Sequence, residues 1–87
     1  MACYKIQWKN SAKKELKKLE RKFIPNIVNA VTALAKNPRP TNSKKLVGSE
    51  HTYRIRINDY RVVYSIEDDI LLIEIIRVRH RKEVYKK

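Results

Sequence analysis

Hydrophobic and polar positions along this chain change their period about midway. Near the start, Tyr4, Ile6 and Trp8 alternate with Lys5, Gln7 and Lys9, which predicts a short strand with one wet face. Asn10 or Ser11 can cap the helix that follows. Its apolar positions Ala12, Leu16 and Leu19 recur at helical spacing, while Lys13, Lys14, Lys17 and Lys18 line the other side. Pro25 suits the first turn of a second helix, where its missing N–H costs nothing. Ile24, Ile27, Val28, Val31, Leu34 and Ala35 give that helix a wide apolar stripe, and Asn37-Pro38 ends it. Residues 38–51 are polar and turn-rich and read as a loop, with Leu46 as its anchor into the core.

Beyond this loop the period becomes two. Segments 52–57, 60–66 and 70 to about 79 read as three strands, joined by tight turns at Asn58-Asp59 and Glu67-Asp68-Asp69. The charged stretch 80–87 reads as a loop or a short helical turn. The predicted order is β-α-α-β-β-β in a single domain spanning 1–87.

Pairing these strands places the charges. A two-residue turn at Asn58-Asp59 sets Ile57 against Tyr60, Arg56 against Arg61, and Arg54 against Val63. Side chains alternate between faces, so Arg54, Arg56 and Arg61 share one. A three-residue second turn pairs Ile66 with Ile70, which sets Arg61 opposite Ile75 and brings Ile75, Arg77 and Arg79 to that same face. The other face then carries Tyr53, Ile55, Ile57, Tyr60, Val62, Tyr64, Ile66, Ile70, Leu72, Ile76 and Val78, with Glu74 as its one misfit. That apolar face should hold the helices and leave the arginines on the open one. Like charges directly opposite in a sheet are destabilising, so such a cluster is better explained by an anionic ligand. Arginine's planar fork of donors binds phosphate bidentately.

Composition agrees with this placement. The 87 residues include 21 Lys and Arg against 9 Asp and Glu, a formal net charge of +12 that calls for a polyanionic partner. Hydrophobic residues, 43% of the chain, suffice for one core and exclude a disordered tail. The lone Cys3 cannot form an internal disulfide and reads as a small packing residue, and no His/Cys spacing suggests a metal site. No apolar run is long enough to span a membrane and no secretory signal is present, so a cytoplasmic protein is expected.

The arginine positions also carry a resemblance. Tyr53-Arg54-Ile55-Arg56, Asp59-Tyr60-Arg61-Val62-Val63-Tyr64 and Arg79-His80-Arg81-Lys82-Glu83-Val84-Tyr85 resemble the RelE family of bacterial toxins, within the RelE/ParE superfamily. The resemblance extends over essentially the whole chain. It implies an α+β fold, a small twisted and mainly antiparallel sheet with two helices packed on one face. It implies the toxin of a type II toxin–antitoxin pair, an endoribonuclease that cuts messenger RNA in the ribosomal A site without a metal or other cofactor. The partners it implies are a RelB-like antitoxin, the ribosome and its mRNA, with operator DNA reached only through the toxin–antitoxin complex and no membrane.

Residue by residue, Arg61 matches the family's phosphate-stabilising arginine and Arg79 the arginine that protonates the leaving oxygen or stabilises its charge. Tyr85 matches the C-terminal tyrosine that stacks on, or helps deprotonate, the nucleotide being cut. Arg54 and Arg56 stand where some members carry lysines. A lysine can serve as a base, whereas arginine stays protonated, so these two read as electrostatic clamps on the substrate. Arg77 and Arg81 extend the basic surface, and Arg77 fits either the rim of the site or an antitoxin contact. The proton acceptor is Tyr85 or His80, the latter having the right intrinsic pKa but adjoining Arg79 on the strand.

Two other functions fit the same charge. A ParE-like inhibitor of DNA gyrase would act by binding protein and needs no clustered phosphate site. A non-catalytic nucleic-acid-binding module would bind in a salt-sensitive way and cut nothing. The arginine cluster together with Tyr85 favours the nuclease. Tyr53, Tyr60, Tyr64 and Trp8 read as core residues, and nothing assigns a role to His51.

Overall fold

The computed structural model describes residues 3–80. Five strands form one sheet: β1 (Lys5–Trp8), β2 (Ser43–Lys45), β3 (Thr52–Ile57), β4 (Tyr60–Glu67) and β5 (Leu72–His80), in the spatial order β1-β5-β4-β3-β2. β1 runs parallel to β5, and every other pairing is antiparallel. The first strand therefore lies beside the last. Helices α1 (Asn10–Lys17) and α2 (Ile24–Ala33) fill the connection between β1 and β2.

α1 starts at Asn10 itself, with Lys9 as the N-cap and no side-chain cap bond, so neither Asn10 nor Ser11 caps it. Lys14 and Lys17 in its last turn suit the negative end of the helix dipole. A 3₁₀ turn at Arg21–Phe23 leads into α2, and Pro25 occupies the first turn as its fixed φ predicts. Ala12, Ile27, Val31 and Leu34 bury completely against Ile55, Val62, Tyr64, Ile66, Ile73, Ile75 and Val78. The two helices thus cover one face of the sheet. Cys3 is exposed rather than packed.

The loop expected over 38–51 contains a strand. Ser43–Lys45 pairs with β3, setting Lys44 opposite Arg54. Ser-Lys-Lys shows no apolar alternation because the position beside buried Ile55 is the half-buried polar Ser43 and the two lysines are exposed. Leu46 is only half-buried and does not join the core, and the segment is closed instead by the Thr52 carbonyl accepting from the Leu46 amide at 2.9 Å.

The β3–β4 hairpin has the expected register, with Ile57 opposite Tyr60 across the two-residue turn and Asn58 at φ 55°. The β4–β5 connection differs. Asp68–Ile70 form a 3₁₀ turn and Leu71 is left-handed (φ 52°), so Ile66 pairs with Ile73, not Ile70. A register shift then follows, because Tyr64 pairs with Ile75 but Val63 pairs with Arg77. Ile76 is the extra residue of a β-bulge. Ile73 and Ile75 are therefore fully buried, whereas Ile70 is 62% exposed and Leu72 and Ile76 are half-buried outside the core. Glu74 stops being a misfit, since it alternates with Ile73 and Ile75 and lies on the open face opposite Ser65. Past the bulge the phase inverts again, and Arg61 stands opposite Arg79 rather than Ile75.

Candidate nucleic-acid interface

Two rows of side chains cross the open face. In one, Lys44, Arg54, Val63 and Arg77 are consecutive partners across β2, β3, β4 and β5. In the other, Arg56, Arg61 and Arg79 are directly opposed across β3, β4 and β5. Directly opposed residues have Cα atoms about 4.5–5.5 Å apart, so three guanidiniums are rooted in one short row.

Arg61 is the centre of this row and only 3% exposed. Among the described residues its guanidinium makes one long hydrogen bond, from Nη1 to the Tyr60 carbonyl at 3.5 Å. Among the described residues no carboxylate lies within ion-pair distance of it. A buried, unneutralised cation is costly unless a ligand supplies the counter-charge. The cleft beside it has a volume of about 350 Å³ and is lined by Thr41, Asn42, Lys44, Arg54, Arg56 and Arg61. Asn42 is fixed by donating from Nδ2 to the Arg56 carbonyl at 3.0 Å. Among the described residues four cations and no acid line this cleft, which suits a phosphate or a short run of phosphodiester.

Arg79 is rooted opposite Arg61, but its side chain lines a second cleft of about 340 Å³ at the sheet edge, with Glu15, Lys18, Leu19, Val78 and His80. There its Nε donates to Glu15 Oε2 at 2.7 Å. Arg77 is exposed on the open face. His80 pairs with Tyr60, on the face opposite Arg79, and its ring meets Tyr60 edge-on with centroids 5.3 Å apart. It packs on Tyr60 and also lines the edge cleft that Arg79 lines. Arg81 and Tyr85 lie outside the described residues. Among the described residues no three His, Cys, Asp or Glu side chains are grouped to hold a metal ion.

Lys44, Asn42 and Glu15 join the sequence-derived residues. Lys44 is visible only once β2 is seen to pair with β3. Glu15 does leave a trace in the sequence, because it is the one acid in Lys13–Lys18 and falls three residues after Ala12, on the buried stripe of α1.

A family profile described as the ParE toxin of the type II toxin–antitoxin system, parDE, matches residues 6–85. The chain belongs to the RelE/ParE family of toxins of type II toxin–antitoxin systems. It is 33% identical over 76 residues to the RelE1 protein of Methanocaldococcus jannaschii, a match covering 84% of each chain. Its fold is similar to a chain in the crystal structure of the RelBE2 toxin–antitoxin complex of Mycobacterium tuberculosis, with a TM-score of 0.81, 28% identity, and 93% and 94% of the two chains covered. It is likewise similar to a chain in the archaeal RelE–RelB complex of Pyrococcus horikoshii, with a TM-score of 0.82, 26% identity, and 91% and 96% covered. The fold of RelE toxins, two helices on one face of a small mixed sheet, is the fold of this chain.

Proposed function

We propose that this RelE-like toxin is a messenger-RNA endoribonuclease that acts on the ribosome and is held inactive by a RelB-like antitoxin. The observation that carries the reading is Arg61. It is nearly buried, directly opposed by Arg56 and Arg79, and without a carboxylate among the described residues. A sheet gains no stability from such a row, and an anionic substrate would neutralise it.

In the proposed reaction the ribose 2′-oxygen attacks the adjacent phosphorus and loses its proton to a base. The P–O5′ bond breaks, and the 5′-oxygen leaves with a proton, giving a cyclic phosphate and a free 5′-hydroxyl. Arg54, Arg56 and Arg61 hold the phosphodiester and face the charge that grows on the phosphorane, each well-placed donor contributing on the order of 3 kcal/mol. Arg79 attends the leaving oxygen. His80 packs its ring against Tyr60, and Tyr85 is assigned as the base ahead of it, with Arg77 and Arg81 as flanking phosphate contacts. The antitoxin reading is supported by the RelB–RelE complexes of related toxins and by the +12 charge, which suits an acidic segment folding over the basic face.

Primer extension on a message in a translating extract tests the reading. Cleavage within codons is expected, abolished by Arg61→Ala and strongly reduced by Tyr85→Phe. Full cleavage by Arg61→Ala removes the site assignment. The ParE description of the matching family favours one other reading, gyrase inhibition. A DNA-damage response with messages intact would establish that one instead.

A further inference from the structure

Glu15 is the single acid that touches the arginine rows among the described residues, and it does so in an unusual way. β1 ends at Trp8, so the outer edge of β5 loses its partner strand after the Lys9 amide bonds the Ile75 carbonyl at 3.0 Å. α1 then lies along this edge. Glu15 Oε1 accepts the Val78 backbone N–H at 2.9 Å, a bond that a neighbouring strand would otherwise provide. Glu15 Oε2 accepts Arg79 Nε at 2.7 Å, with the carboxylate 22% and the arginine side chain 37% exposed. One oxygen is thus tied to the backbone beside Arg79 while the other holds the inner nitrogen of its guanidinium.

Arginine–carboxylate pairs are frequently bidentate, through two parallel N–H···O bonds. Here the bond is single and uses Nε, and Nη1 and Nη2 have no hydrogen-bond partner among the described residues. The phosphate-binding end of the fork is left open. We infer that Glu15 is a positioning residue, which fixes the Arg79 guanidinium against the β5 backbone and presents its outer nitrogens to the phosphodiester held by Arg61. This inference rests on the nuclease reading above. It adds to that reading a device on α1, an element otherwise outside the site.

The test is a double-mutant cycle of Glu15→Gln and Arg79→Ala in the translating-extract assay. It is read with single-turnover rates and RNA affinity, and thermal melts confirm that each variant folds. Glutamine keeps an oxygen for the Val78 N–H but lacks the charge that holds Nε. Glu15→Gln is expected to slow cleavage on the order of tenfold to a hundredfold with RNA affinity unchanged. The double variant should be no slower than Arg79→Ala alone. Glu15→Asp should recover part of the rate. In NMR spectra the Arg79 Nε–H signal should lose its exchange protection in Glu15→Gln.

Three outcomes overturn the inference alone while Arg61→Ala remains inactive. They are a Glu15→Gln rate equal to or above wild type, multiplicative losses in the cycle, or an unchanged Nε–H signal. Wild-type cleavage by Arg61→Ala overturns the nuclease reading, and this inference with it.

Discussion

Arg61 and Arg79 face each other across β4 and β5, and of the two only Arg79 has a carboxylate among the described residues. The less exposed cation is the one with no carboxylate partner among the described residues. The local arrangement therefore opposes folding and favours whatever anion completes it.

Replacing Arg61 by methionine keeps the apolar stem and removes the charge. Arg61→Met should raise folding stability by about 1 kcal/mol in urea titrations while abolishing cleavage. Inorganic phosphate should raise the melting temperature of wild type and leave Arg61→Met unmoved. A destabilised Arg61→Met would mean that the guanidinium is held by bonds the fold needs.

The bulge makes neighbouring isoleucines unequal. Ile75 is fully buried and Ile76 only half so. Ile75→Ala should cost about 2–4 kcal/mol, whereas Ile76→Ala should cost less than about 1.5. Equal losses in denaturant titrations would place the extra residue elsewhere in β5.

At the far end of the sheet, Arg39 bonds Asp68 at 2.8 Å and Tyr53 at 3.1 Å, and the Tyr4 hydroxyl also donates to Asp68. Arg39, and next Tyr4, hold the Asp68 carboxyl below its ordinary 3.8. The folded value lies below the unfolded one, so this stabilisation is complete above pH 3.8 and is lost as pH falls through the folded value. Asp68→Asn should flatten the acid limb of stability and leave RNA cleavage at neutral pH intact. Denaturant titrations on both sides of pH 3.8 provide the check.

Tyr64 is fully buried and donates to the Pro38 carbonyl at 2.7 Å. Burial pushes its hydroxyl up to about 12 from 10.0. Its stabilising effect is complete below pH 10.0 and is lost as pH rises towards about 12. Tyr64→Phe should cost on the order of 1–2 kcal/mol at neutral pH by leaving the Pro38 carbonyl unpaired. It should also shallow the alkaline limb in pH-dependent melts.

Where the fold is legible in the sequence, two periods make it so. The helical stripe of Ile27, Val31 and Leu34 and the alternation of Tyr53, Ile55 and Ile57 both face the core. The Asn58-Asp59 turn fixes its register because two residues permit only one. The β4–β5 turn is longer than its polar residues suggest, since Leu71 adopts a left-handed conformation that apolar residues seldom take. Pairing Ile66 with Ile73 shifts the strand by an odd number of residues, and the bulge at Ile76 shifts it by one more. The two changes cancel in parity, so Arg77 and Arg79 reach the expected face although Ile73 and Ile75 do not. β2 stays hidden because an edge strand of Ser-Lys-Lys carries no periodicity. The role of Glu15 stays hidden because it depends on where β1 stops.

The bulge at Ile76 has a consequence for how this molecule can vary. In an unbroken strand, one slip exchanges inside for outside along its whole length. Here the extra residue divides β5 into a lower half whose Ile73 and Ile75 face the core and an upper half that sends Arg77 and Arg79 to the open face and Val78 to the core. Substitutions at Ile73 or Ile75 can trade stability without re-aiming an arginine, and changes at Arg77 or Arg79 can retune the basic face without opening a void beneath it. Fold and weapon share a strand, yet each can drift under its own selection.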